Sequence, residues 1–148
     1  MGEHAPSAWR VLVVDDDARF AAALADAISS EHGLDVVGVA DGVESGSEAV
    51  RAGVDVVLLD VRMPGGGGAE LARRVSRSRD APAVVAMSGS WDSTSAAEMA
   101  DAGAVATVDK SDALDELCAV VRGACERRAE GAARAADGRV GDGSSDEP

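Results

Sequence analysis

Three consecutive aspartates, Asp15, Asp16 and Asp17, close an apolar run near the amino terminus, and a lone Asp60 closes another in mid-chain. Ser88 ends a further apolar run, and Lys110 follows the last one. An acid pair, a second acid, a hydroxyl and an ammonium form a set suited to phosphoryl chemistry. Carboxylates brought within a few ångströms repel each other, which raises a pKa unless a cation intervenes. A hard divalent ion resolves that conflict. Mg²⁺ prefers oxygen ligands in octahedral geometry and suits one or two carboxylates, a backbone carbonyl and a phosphoryl oxygen. A carboxylate beside such an ion can act as a nucleophile toward phosphorus. Ser88 offers a hydroxyl that can donate to a phosphoryl oxygen. Lys110 is the only lysine, against thirteen arginines. Its compact ammonium suits a point contact to a carboxylate and a phosphoryl oxygen, where a planar guanidinium fork fits differently.

These residues act together only if the fold brings them together. Four short valine-rich runs, Val11–Val14, Val36–Val39, Val54–Leu59 and Ala83–Met87, are continuous rather than alternating and read as buried parallel strands; Ala104–Val108 is a fifth. Segments of helical period lie between them, clearest at Phe20, Leu24, Ala27 and Ile28 and at Leu114, Leu117, Val121 and Ala124. Five strand–helix alternations with right-handed crossovers imply a doubly wound parallel sheet, whose sites lie at the carboxyl ends of the strands. The expected fold is therefore α/β, a doubly wound (βα)5 parallel sheet in a single domain. If the first and third strands are neighbours, Asp15, Asp16 and Asp60 meet. Gly33, Gly53 and Gly103 fall where left-handed helix caps would sit. Asp17 is a natural N-cap of the first helix, Ser95 with Glu98 a capping box for the fourth, and Ser111 a cap for the fifth. The second helix is expected around Ser47–Ala52 with Gly46 at its start, and Gly65 to Gly68 form a flexible loop after Pro64.

At 148 residues and net charge −13, the chain suits one domain with a real core and repels a phosphate backbone or an anionic membrane. Neither direct nucleic-acid nor membrane partners are expected. With no apolar leader and no run of spanning length in the sequence, a cytoplasmic location is expected. Cys118 and Cys125 lie about two turns apart on one helix, beyond disulfide reach, and read as small buried hydrophobes. His4 and His32 match no ligand spacing. Beyond Arg128 the composition turns to Ala, Gly, Asp, Arg and Ser, so 1–9 reads as an arm, 10–128 as the domain and 129–148 as a disordered tail.

The segments Val11-Leu-Val-Val-Asp-Asp-Asp17, Leu58-Leu-Asp-Val-Arg-Met-Pro64, Met87-Ser-Gly-Ser90 and Val108-Asp-Lys110 together resemble the receiver domain of two-component response regulators, from about Arg10 to Arg128. The run Leu34–Ala40 and the motif Asp60-Val-Arg-Met-Pro64 are closest in flavour to receivers that usually precede a helix-turn-helix output domain, and the resemblance implies the flavodoxin-like (βα)5 strand order. The resemblance implies that Asp15 and Asp16 hold Mg²⁺ with Asp60 and the backbone carbonyl of Arg62. It makes Asp60 the phosphoacceptor for a sensor histidine kinase, Ser88 the switch hydroxyl and Lys110 the phosphoryl-contacting lysine. Receivers usually carry an aromatic residue three before that lysine and a proline just after it; here Thr107 and Ser111 stand there. No output domain follows in this sequence, so output is expected through protein contact by the face of the fourth helix, fifth strand and fifth helix. Trp91, three residues after Ser88, should report movement of its loop.

Two other readings stay open on the sequence. Asp15-Asp-Asp17 resembles the opening motif of haloacid-dehalogenase phosphatases, although Arg19 stands where Thr or Val is usual. A phosphorylation-independent module that keeps the fold and binds proteins is the other. The preferred reading is a phosphoacceptor and not an enzyme.

Overall fold

The computed structural model describes residues 8–145, with side chains described except at 66 and 137–145. Five parallel strands, β1 (Trp9–Val14), β2 (Leu34–Ala40), β3 (Val56–Asp60), β4 (Ala83–Ser88) and β5 (Ala106–Asp109), line up in the order β2-β1-β3-β4-β5. This is the flavodoxin-like order. The helices are α1 (Ala18–Ser29), α2 (Val43–Val50), α3 (Gly67–Ser76), α4 (Ser93–Ala102) and α5 (Leu114–Ser145), with a short 3₁₀ turn at Pro64–Gly66 before α3.

Side chains alternate across each strand, so a sheet covered on both faces needs two apolar cores. Val11, Val13, Val56, Leu58, Val85 and Met87 point to one face and pack against α1 and α5 through Leu24, Ile28, Leu117 and Val121. Leu12, Val14, Val57, Leu59 and Val84 point to the other and pack against Leu71, Val75 and Met99. The central strands β3 and β4 are buried throughout, which is why they read as unbroken apolar runs. The edge strand β2 is not: Val37 is 36 % and Val39 51 % exposed. Its pairing with β1 slips between Val11 and Leu12, which face Val36 and Gly38, leaving Val37 as a bulge.

Several expectations change at element ends. Helix α2 begins at Val43 and ends at Val50, earlier than Ser47–Ala52, with Gly46 inside it; a Cβ on Gly46 would stand 2.8 Å from Leu71 Cδ2, so the glycine lets α2 approach α3. Gly67 and Gly68 are the first residues of α3 rather than loop. The cap of α4 is Asp92, whose Oδ1 accepts from Ser95 N at 2.7 Å; Ser95 itself is inside the helix. Ser111 caps nothing: its backbone N–H and hydroxyl both donate to Asp109 Oδ1. Asp17 caps α1 as expected, accepting from Phe20 N at 3.1 Å. Gly103 is the left-handed cap of α4, whereas Gly33 and Gly53, also at positive φ, sit in the turns leading to the next strands.

Helix α5 continues to Ser145 across residues whose composition marked a disordered tail; 146–148 lie outside the described residues, as do most of the arm at 1–7. Alanine, arginine and glutamate are strong helix formers that continue a helix begun by packing. The packed part ends near Arg128, whose guanidinium donates to the carbonyls of Ala81 and Asp80 and to Asp55 Oδ1 at 3.2 Å. Cys118 and Cys125 are buried in the α5-side core. Burial pushes both thiols up, Cys125 to about 12, so neither is a ready nucleophile.

Candidate phosphoacceptor site

The strand order puts the end of β1 beside the end of β3. Val14 pairs with Leu59, so the residues that follow, Asp15 and Asp60, stand next to each other at the top of the sheet. The fourth strand delivers Ser88, whose backbone carbonyl accepts from Lys110 N at 2.9 Å and thereby fixes the start of the β5–α5 loop. Carboxylate oxygens of Asp15, Asp16 and Asp60 lie within 4.8 Å of one another. Asp15 and Asp60 are buried and Asp16 is exposed. The Lys110 ammonium reaches between the buried pair, 2.8 Å from Asp15 Oδ2 and 3.4 Å from Asp60 Oδ1. All five chemistry-bearing side chains singled out in the sequence therefore converge on one end of the sheet.

Local backbone geometry assigns each oxygen a task. Asp15 Oδ1 accepts from Asp17 N at 2.9 Å. Asp15 Oδ2 is buried with no partner of hydrogen-bonding geometry, despite Nζ at 2.8 Å; its contact with Lys110 is one of charge. Asp60 Oδ1 accepts from Arg62 N at 3.3 Å and faces Lys110. That leaves Asp60 Oδ2 without a protein donor among the described residues. Burial is the main influence on Asp60 and raises its pKa, with Asp15 adding to the effect and the Arg62 N–H and Lys110 opposing it. Burial alone would lower the pKa of Lys110, but the two carboxylates together outweigh that and raise it. The ammonium is thus firmly charged.

Gly68 explains how α3 comes so close. A Cβ there would stand 2.7 Å from Val61 Cα and 2.8 Å from the Asp60 carbonyl oxygen, both backbone atoms that cannot swing aside. The helix start consequently rests directly on the chain leaving Asp60.

The β4–α4 loop is fastened in three ways. Ser88, fully buried, donates through Oγ to Ser90 O at 3.0 Å and accepts from Ser90 N at 3.1 Å. The Arg62 guanidinium donates to Ser90 O at 2.8 Å. Trp91 Nε1 donates to Val108 O at 2.9 Å, tying the loop to β5 beside the exposed Thr107. Sequence reading missed the Arg62 side chain, for which no signal exists, and Phe20, whose ring lies 4.6 Å beneath the Lys110 ammonium. Phe20 had a signal: it is the single phenylalanine, one turn after the acid triplet.

The response regulator receiver domain matches residues 11–122. A protein-glutamate methylesterase/protein-glutamine glutaminase of Myxococcus xanthus is 42 % identical over 107 residues, covering 71 % of this chain and 31 % of that protein. The response regulator GacA of Pseudomonas viridiflava is 38 % identical over 114 residues, 76 % of this chain and 53 % of GacA. The chain thus spans between about a third and a half of these curated relatives. Among solved structures, the NarL receiver domain of Mycobacterium tuberculosis superposes with a TM-score of 0.75 at 32 % identity, covering 82 % of this chain and 98 % of that one. These matches favour the receiver over the phosphatase, and the chain belongs to the response regulator receiver domain family, the phosphorylation-dependent switches of two-component signalling.

Proposed function

We propose that Asp60 is the residue that takes the phosphoryl group from a histidine kinase, with Mg²⁺ held by the carboxylates of Asp15, Asp16 and Asp60 and by the backbone carbonyl of Arg62. The observation that carries this reading is the convergence of three carboxylates within 4.8 Å, two of them buried and sharing a single ammonium, Lys110. A hard cation with oxygen ligands fits that donor set. When bound, such an ion offsets the charge on the oxygens of the transferring phosphoryl group.

The chain's own residues do the rest. Asp60 Oδ2, the oxygen without a protein donor, attacks phosphorus; the bond from phosphorus to the donor imidazole nitrogen breaks, and its electron pair leaves with that nitrogen. The product is an acyl phosphate on Asp60. Asp60 Oδ1 is meanwhile steadied by the Arg62 N–H. Lys110, already between Asp15 and Asp60, supplies a fixed positive charge to a phosphoryl oxygen, and Ser88 supplies the neutral donor once its bond to Ser90 opens. Output then passes to a protein partner on the face of α4, β5 and α5, to which the loop is tied through Trp91 and Val108. The chain acts as a phosphoacceptor in the cytoplasm and not as an enzyme. No described helix is long and apolar enough to cross a membrane.

Labelling with acetyl phosphate tests the assignment. Incorporation of one acid-stable, base-labile phosphoryl group per chain that requires Mg²⁺ and is absent from Asp60→Asn is the expected result. Equal labelling of Asp60→Asn would sink it.

A further inference from the structure

At the opposite end of the sheet, where the strands begin, lies a groove of about 710 Å³ walled by β1, the end of α2, the turn into β3 and the α3–β4 loop. Five of the thirteen arginines of this acidic chain line it: Arg10, Arg51, Arg74, Arg79 and Arg128. Asp55 and Asp80 also line it. Three arginines are committed to structure. Arg10 Nε donates to Gly53 O at 2.7 Å, Arg128 clasps Asp55 and the Asp80 and Ala81 carbonyls, and Arg74 is paired with Glu70 and Glu44. Asp55 is spent as well, since Oδ1 faces Arg128 and Oδ2 accepts from Arg10 N at 2.8 Å.

The remaining two arginines are not spent. Arg79 makes no ion pair or side-chain hydrogen bond among the described residues, and Arg51 has only an exposed contact with Glu48 at 3.6 Å. A guanidinium at the rim of a concavity presents a planar fork of donors that matches phosphate oxygens. Ser47, which lines the same groove, has a buried Oγ with no hydrogen-bond partner. A helical serine can satisfy itself by bonding back to the preceding turn; this hydroxyl does not, and it is closed off from the groove, so the polar contacts on offer are the two guanidinium groups. Between these polar points the wall is apolar, formed by Val50, Val54, Val75 and Pro82. The volume falls within the range of small-molecule sites, which combine apolar walls with a few placed polar groups.

We infer that this groove binds a small phosphate-bearing anion, with Arg51 and Arg79 on its phosphate oxygens. The concave shape favours a small molecule over a flat protein surface. The site is remote from Asp60, since the strands that separate them run about 17–20 Å.

Amide chemical shifts of the ¹⁵N-labelled full chain, titrated without Mg²⁺ with inorganic pyrophosphate and separately with ADP, test the inference. Pyrophosphate is expected to move the amides of Ser47, Arg51, Gly53 and Arg79 in a saturable, salt-weakened way. Binding of ADP about tenfold or more tighter assigns a nucleotide, with the apolar wall taking the base; equal affinity assigns an inorganic polyphosphate. The Arg51→Ala/Arg79→Ala double variant should lose at least about tenfold in affinity for the better probe while retaining full acetyl phosphate labelling and an unchanged amide spectrum elsewhere. No saturable shift in the groove with either probe, shifts confined to the ends of β1, β3 and β5, or undiminished binding in the folded double variant would each overturn it. Binding of a polyglutamate peptide where both phosphates fail would likewise overturn it, in favour of an acidic protein segment.

Discussion

At the scale of single residues, the proposed Mg²⁺ and the Lys110 ammonium would compete for the carboxylates of Asp15 and Asp60. Lys110 stands where positive charge is needed in the absence of metal, and an ammonium opposes a nearby divalent ion rather than holding it. We predict that Asp16→Ala weakens Mg²⁺ binding strongly, whereas Lys110→Ala leaves it intact or tightens it and blunts the response to phosphorylation. Calorimetric titration of the two variants separates these roles, and weaker Mg²⁺ binding in Lys110→Ala would refute the division. Asp60 carries a second, pH-dependent expectation. Its folded-state pKa is raised, chiefly by burial, so the folded chain holds this proton at a pH where the unfolded chain has released it. Its contribution to stability is therefore complete below the ordinary carboxylate range and is lost as pH rises through the raised value. Metal-free Asp60→Asn, which has no charge to bury, should melt higher than the parent at neutral pH, and the gap should close on acidification below that range. A gap that widens in acid would contradict the sign. The residues that converge on the candidate site were legible because each closes or follows an apolar run. The Arg62 guanidinium and the Phe20 ring were not, because their partners are a backbone carbonyl 28 residues away and an ammonium brought in by a different strand.

At the scale of elements, the strands were readable and the helix ends were not. Burial on both faces makes β3 and β4 unbroken apolar runs, a signal intrinsic to the segment. Helix ends depend on what lies across from them: Gly46 sits inside α2 because Leu71 of α3 is there, and Gly68 starts α3 because the Asp60–Val61 backbone leaves no room for a side chain. Gly68→Ala is expected to cost about 1–3 kcal/mol, the usual range for an overpacked site, and to slow labelling, since relief must come from the chain leaving Asp60. Thermal unfolding and acetyl phosphate kinetics measure the two effects. The cap of α4 gives a further check. The Ser95 N–H and hydroxyl hold the Asp92 carboxyl below its ordinary pKa, so its stabilisation is present above the ordinary carboxylate range and is lost as pH falls through the lowered value. Asp92→Ala should melt below the parent at neutral pH, with the difference shrinking in acid. A difference that persists at low pH would show that Asp92 does not act through its charge.

At the scale of the whole molecule, the two-layered core followed from the alternation of βα units and the order of strands from the family resemblance, whereas the length of α5 followed from neither. Composition distinguishes a segment that cannot bury apolar surface, but not one that simply prolongs a helix already anchored by Leu117, Val121 and Arg128. Removal of 129–148 should preserve both melting temperature and labelling, because the described side chains beyond Arg128 are largely exposed. Loss of cooperative unfolding in that truncation would show that the extension is structural. A last consequence lies in the doubly bonded Ser88 hydroxyl. At about 1 kcal/mol net for each hydrogen bond, the pair it makes with Ser90 disfavours spontaneous release by roughly thirtyfold; with Ser88 as the proposed switch hydroxyl, false alarms from unstimulated chains are expected to stay at a few per cent. On that proposal the same bonds are broken by every genuine signal, which sets the domain for silence at some expense of sensitivity.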